Sequence, residues 1–269
     1  MVKSKPTAPS YIGFTLLSSI VGLVKIVSPY SVRRLMRRFG LEAELYRGPL
    51  VAKINNLLER LDQGEIAAEQ FVSELRQRYN EIDLESEFNE WIGDVSEYHG
   101  TRTLYEKIDT TRASTLHLSY ISPASCIPPH AHHNLASAQC VLKGNLHVRQ
   151  YDRIARLDPH TLTLRPVSDA IFHQYDSILT TEYLNNVHWF GTNDLPAVVL
   201  NFNVIGGFDD TFNIKGTRPV GRYYIDPTTK ARDGGLIVAP EISSDEAHAR
   251  FARHALSEFD NEGYDAAGR

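Results

Sequence analysis

Apolar residues recur at helical spacing before residue 100 and at strand spacing after it. Leu50, Val51, Ile54, Leu57, Leu58 and Leu61 follow one another at three- and four-residue steps, which lays them along one helix face. Gly64 ends that run. Ile66, Ala67, Phe71, Val72, Leu75 and Tyr79 mark a second helix, and Glu85 to Ile92 predict another turn or two. Beyond residue 100 the runs are short and bounded by turn residues. Thr103–Glu106, Ser114–Ile121, Ser137–Leu142, Leu146–Tyr151, Thr161–Arg165, Leu179–Tyr183, Val187–Phe190 and Ala197–Ile205 read as strands. Turns are expected at Ser122-Pro123, Lys143-Gly144-Asn145, Leu157-Asp158-Pro159, Asn193-Asp194 and Gly206-Gly207. Tyr223–Asp226 reads as a late edge strand. A last helix is expected from Ser244 to Phe259, with Ser243 and Glu246 in the spacing of a capping box. The tail from Asp260 to Arg269 is polar and expected to fray.

This pattern divides the chain into a helical extension over 1–99, a β-barrel over 100–240, and a C-terminal helix with its tail over 241–269. Many short strands at this spacing predict a mainly β fold, an antiparallel sandwich or barrel.

Tyr11 to Val27 is mostly apolar, is interrupted by Lys25, and lies near the lower length limit for a spanning helix. No small-residue cleavage site follows it, so a secretory signal is not expected. Arg33, Arg34, Arg37 and Arg38 come shortly after. Two readings stay open: a buried helix followed by a solvated basic one, or peripheral contact with an anionic membrane surface.

Composition narrows the function classes. The 269 residues are 42% hydrophobic, enough to bury a real core. A net charge of −5 gives no electrostatic case for nucleic acid as a partner. Two cysteines, Cys126 and Cys140, are too few for a disulfide scaffold. The expected compartment is the cytoplasm, with membrane association through the N-terminal segment as the alternative.

The candidate chemistry lies in Pro128-Pro129-His130-Ala131-His132-His133. On a strand, the period of two puts His130 and His132 on one face. The Lys143-Gly144-Asn145 turn returns the chain, and His188 can bring a third imidazole from a non-neighbouring strand. Three imidazoles with open positions make a reactive metal site, because a closed structural site holds four protein ligands. His173 is the rival third ligand, but no Asn follows it. His133 is out of phase with the pair and is expected to face outward. Cys140 is out of phase with Ser137 and is expected to pack. His117 can face the cavity from the preceding strand, with a core histidine as the favoured reading, and Trp189 and Phe190 are expected to be core or wall.

This constellation resembles the cupin superfamily over residues 100 to 206. The first cupin motif carries a His-x-His pair, a Glu, and a Gly after six intervening residues. With Gly144 as that glycine, Ser137 stands where the Glu belongs. The second motif, a His closely followed by Asn, is matched by His188 and Asn193. The resemblance implies a double-stranded β-helix with His130, His132 and His188 as metal ligands. Within cupins, three histidines without the Glu resemble the thiol dioxygenases, such as cysteine dioxygenase. Val141-Leu142-Lys143-Gly144-Asn145-Leu146 and Leu195-Pro196-Ala197-Val198-Val199-Leu200 are similar to the strings around that family's ligands. Thr101-Arg102-Thr103-Leu104 resembles the place where the family carries an arginine for the substrate carboxylate. The resemblance thus implies Arg102 as an anchor, a task that suits its bidentate fork. Asn201 and Asn203 stand where the family has a His and a Tyr, and Ser137 stands where some members have a cross-linked cysteine.

Three neutral imidazoles leave Fe(II) its full charge and favour an anionic thiolate beside it. Zn, Ni or Mn are alternatives, since raw affinity does not select iron. Gln139 shares the inward face with Ser137 and is a candidate orienting residue. The expected partner is a small-molecule substrate, and an oligomer is compatible with the sequence. The leading functional expectation is a non-haem Fe(II) dioxygenase. A non-catalytic binding cupin and a metal-dependent isomerase or hydrolase are the alternatives.

Overall fold

A computed structural model describes residues 46–108, 112–208, 212, 221–229 and 235–259. The expectations for Tyr11–Val27, for the arginines at 33, 34, 37 and 38, and for the tail from 260 lie outside the described residues. Among the described residues no helix is long and apolar enough to cross a membrane.

Helix α1 (Pro49–Asp62) starts with proline in its first turn, where the missing N–H costs nothing. Its buried residues are Leu50, Val51, Ile54, Leu57, Leu58 and Leu61, the stripe read from the spacing. α2 (Ala68–Asn80) buries Phe71, Val72, Leu75 and Tyr79. α3 (Leu84–Tyr98) is longer than the sequence pattern suggests. The Asp83 side chain caps it by accepting from the Ser86 N–H at 3.1 Å.

Eleven strands follow among the described residues: β1 (Thr101–Ile108), β2 (Ala113–Ile121), β3 (Cys126–His133), β4 (Leu135–Lys143), β5 (Leu146–Asp158), β6 (Thr161–Phe172), β7 (Ser177–Thr180), β8 (Val187–Gly191), β9 (Ala197–Ile205), β10 (Gly221–Ile225) and β11 (Ile237–Ile242). One sheet has the order β1-β2-β9-β4-β7. A second set, β10-β11-β6-β5-β8-β3, closes into a barrel. All pairings are antiparallel. Strands β2 to β9 alternate between the two sheets except at the β5–β6 hairpin, giving β2-β9-β4-β7 opposite β3-β8-β5-β6. That order is the jelly roll, the double-stranded β-helix of the cupin type. The mainly β expectation holds, with helices at both ends of the described chain. Strands β10 and β11 bridge β3 to β6 and close the ring.

The outer face of the five-stranded sheet is apolar, through Leu116, Leu118, Ala138, Leu200, Phe202 and Val204. The helices α1 to α3 lie on that face and share one continuous core with it. Phe71 meets Phe202 at a ring distance of 6.2 Å, and the Tyr79 hydroxyl donates to the Ala138 carbonyl at 3.0 Å. The change near residue 100 is therefore a change of element type within one packed unit, Tyr46–Arg269. The closed ring has a smaller core of its own, including Ala131, Tyr151, Leu162, Leu164, Val187 and Ile225.

The C-terminal helix is shorter than expected. α4 covers Ser244–Phe251 and a separate 3-10 turn covers Leu256–Phe259. The Ser243 hydroxyl accepts from the Glu246 N–H at 3.1 Å, as the capping spacing predicts. Phe251 and Leu256 pack on Trp189 and Cys126.

Candidate metal centre

The hairpin between β4 and β5 depends on Gly144. Its φ is 77°, and a Cβ there would sit 2.2 Å from the Pro196 carbonyl oxygen. A side chain is excluded by sterics as well as by backbone conformation. Strand β3 carries Pro128 and Pro129 just before the stretch, His130–His133, that pairs with β10. A register shift between Ile127 and His130 accommodates them. Proline lacks the N–H that a regular ladder would need, so it belongs at such a bulge. Past the bulge, His130 lies directly opposite His188 of β8.

His130, His132 and His188 converge, with one ring nitrogen of each within 4.8 Å of the others. The His130 and His188 Nε2 atoms are 2.9 Å apart. His130 Nδ1 lies 2.7 Å from the Pro128 carbonyl oxygen, so this nitrogen carries the proton and donates it. The Nε2 lone pair is thereby turned toward the cluster. His188 Nδ1 lies 3.3 Å from the Thr180 hydroxyl. His132 is fixed through its backbone: its N–H donates to Asn186 Oδ1 at 3.0 Å, and its carbonyl accepts from Arg153 at 3.1 Å. Arg153 in turn forms an ion pair with Glu182, and both side chains are fully buried.

All three imidazoles are held neutral. Burial, followed by the charge of Arg222, pushes His188 down to about 3. His130 is lowered well below the ordinary histidine range by burial, then by Arg222 and His188. His132 is lowered by burial, then by His188 and Arg222. Neutral imidazoles with exposed lone pairs are the form that binds a metal ion. Metal–nitrogen bonds of about 2.0–2.1 Å let two ligands of one ion stand no more than about 4.2 Å apart. The 2.9 Å pair satisfies that limit as it stands. The widest pair needs only a small inward movement. The donor set fits a divalent first-row ion.

The cluster opens on a cavity of about 320 Å³ between the two sheets. Sheet alternation explains its lining. Thr115, His117, Ser119 and Ile121 come from β2, Leu135, Ser137 and Gln139 from β4, and Val199, Asn201, Asn203 and Ile205 from β9. Ile127, Phe190, Gly221 and Arg222 complete it with the three histidines. Among the described residues no carboxylate lines this cavity. Ser137 donates to Asn201 Oδ1 at 2.9 Å. Phe190 stacks on His188 with ring centroids 4.6 Å apart.

The structure thus brings Ser137, Gln139, Asn201 and Asn203 to the cavity with His130, His132 and His188. It does not bring Arg102. Arg102 is the register partner of Leu118, whose side chain packs in the helix-facing core. The neighbouring pair, Thr103 and His117, has the opposite phase, and His117 faces the cavity. Arg102 accordingly pairs with Asp94 and sits 4.2 Å over the Trp91 ring, outside the barrel. Among the described residues the arginine at the cavity is Arg222 of β10, cross-strand partner of His132 and solvent-exposed. Sequence reasoning missed it. The one available signal was the late strand itself, in which Arg222 precedes Tyr223.

Other expectations resolve by the same alternation. His117 lines the cavity and is not a core histidine. His133 is out of phase with the metal pair, but it is buried and stacked on Tyr223 at 4.4 Å, not outward-facing. His173 lies away from the cluster, 3.0 Å from Asn145 Oδ1. Cys140 packs against the helices, and both cysteines are free thiols pushed up to about 12 by burial.

No family model matches the chain, and no curated protein matches it. Solved structures do. The cupin domain of Schizosaccharomyces pombe Cnp3 is 11% identical, with 40% of this chain and 64% of that chain covered and a TM-score of 0.28. A cupin-superfamily protein from Desulfitobacterium hafniense is 8% identical, with coverage of 39% and 75% and a TM-score of 0.28. A cupin-2 domain protein from Shewanella frigidimarina is 12% identical, with coverage of 43% and 89% and a TM-score of 0.29. The chain spans less than two thirds of the Cnp3 domain. These neighbours are cupin proteins by description. The fold assignment itself rests on the strand order.

Proposed function

We propose that this chain is a metal-dependent cupin oxygenase, with Fe(II) held by His130, His132 and His188, acting on a small anionic substrate that bears a thiolate or carboxylate. The observation that carries the reading is the charge balance of the cavity. Among the described residues three neutral imidazoles and no lining carboxylate would leave the full charge of a bound ion uncompensated, and Arg222 adds to it. A pocket of that sign concentrates anions.

Bound there, Fe(II) would supply Lewis acidity and O₂ activation. The protein's own part is binding and orientation. Arg222 can take a carboxylate through its two-pronged fork at the open side of the cavity. Ile127, Leu135, Phe190, Val199 and Ile205 supply the apolar part of the lining, which lowers the local dielectric and strengthens both charge interactions. The Pro128 carbonyl holds the His130 tautomer by accepting from Nδ1.

His117 in the cavity favours a second reading, a metal-dependent isomerase or hydrolase, because it offers a proton carrier beside the three ligands. Metal analysis and O₂ uptake together separate the two. Near-stoichiometric iron, with O₂ consumption on adding a small mercapto acid, supports the oxygenase. Bound zinc or nickel without O₂ uptake transfers the weight to the second reading. No metal after reconstitution removes the basis of both.

A further inference from the structure

The cavity wall facing the metal ligands carries a regular polar grid. Along β2, β9 and β4, one rung is His117, Asn201 and Gln139, and the next is Thr115, Asn203 and Ser137. Every one of these side chains lines the cavity. The flanking rungs are more apolar: Val199 and Val141 with Ser119 on one side, Ile205 with Leu135 on the other. The inward face of a buried sheet is ordinarily apolar, because a polar group taken from water must find a partner. Ser137 and Asn201 satisfy one another in part. Gln139 is 94% buried, its relative exposure being 6%, and among the described residues its carboxamide makes no hydrogen bond. It points into the cavity with both its donor and its acceptor available.

The geometry points to a ligand subsite on this wall for a hydroxyl-rich carboxylate, with Gln139, Asn201 and Asn203 reading its hydroxyl groups. The inference rests on the anionic-substrate reading above and chooses between its two branches. Neighbours within a rung stand about 5 Å apart and successive rungs about 7 Å, near enough for several of these side chains to converge on the hydroxyls of one short carbon chain. Amides and hydroxyls both donate and accept, as a row of alcohols requires. A thiolate or an aliphatic acid would leave the Gln139 amide buried without a partner. A hydroxylated acid satisfies it while its carboxylate reaches the ion or Arg222.

The test is calorimetric titration of the full chain, loaded with Fe(II) under argon, with propionate, lactate, glycerate, threonate and 3-mercaptopropionate. Affinity is expected to rise with each hydroxyl, by roughly tenfold from propionate to glycerate. Gln139→Leu should flatten the series while metal content and propionate affinity stay in place. Asn203→Leu is the second variant should Gln139→Leu not fold, and thermal unfolding checks both. Equal affinities for propionate and glycerate overturn the subsite and leave the anionic-substrate reading standing. Preference for 3-mercaptopropionate over glycerate overturns it in favour of the thiol branch. Should no acid bind, the anionic reading falls, and erythritol then decides the grid alone. Erythritol binding that Gln139→Leu removes supports the subsite, and no binding overturns it.

Discussion

Each imidazole in the cluster is oriented by a different device: His130 by a carbonyl, His188 by a hydroxyl, His132 by its own peptide groups. The double variant His130→Ala/His132→Ala should therefore lose metal outright, read as metal per chain after dialysis, since one imidazole cannot hold an ion against solvent. Arg222→Met should retain metal and weaken binding of small carboxylates by roughly tenfold or more, the scale of a lost charge-assisted pair. Arg102→Met should leave carboxylate binding unchanged. The difference between these arginines shows how far sequence reaches. His130 and His132 were legible because a period of two is local. Arg102 misled because a slip of one residue reverses the face of a strand, and local strings do not fix that phase. Arg222 was illegible because its place beside His132 comes from the pairing of β10 with β3. The imidazoles also set a pH dependence. Their protonation constants are lowered on folding, so the unfolded chain takes up protons first as pH falls. For His188 the stabilisation is complete above about 6.5 and is lost as pH falls toward about 3. Metal-free protein should accordingly show a melting temperature that drops steadily below pH 6.5.

At the scale of elements, the five-stranded sheet works with both faces. One face is greasy and takes the helices, while the other is largely polar and lines the cavity. Phe202 lies on the first and Asn201 and Asn203 on the second, so one strand serves both ends. Phe202→Ala should cost about 3–5 kcal/mol in urea unfolding, with the metal affinity of the remaining folded protein little changed. The helices were plain in the sequence, because six apolar residues at regular steps in α1 admit few other structures. Their placement was not, since the strand face they cover alternates with the cavity face and reads as a mixed pattern. The buried Arg153–Glu182 pair is the element-level support of His132. Arg153→Met removes the cation paired with the buried Glu182 carboxylate, at a cost of about 3–5 kcal/mol. It should also weaken metal binding, which Arg153→Lys should partly restore. Comparing metal affinity at matched folded fractions separates this support from mere loss of stability.

Across the whole molecule, the jelly-roll order was readable as a class from many short strands, and the closing ring was not. Strand β11 went unread and β10 was taken for an edge, although together they bridge β3 to β6. Ring closure removes the free edges on that side of the fold, which blunts edge-to-edge association. The same topology gives the metal site a history in time. The proline-led histidine pair and the third ligand are separated by 58 residues in the chain. At synthesis rates of about 5–20 residues per second, a growing chain exposes its two-histidine half for roughly 3–12 s before the third appears. During that interval the pair is an unguarded chelator, open to any abundant copper or zinc. The identity of an ion bound there would then depend on what the cell offers during those seconds, as much as on the cavity that later closes around it.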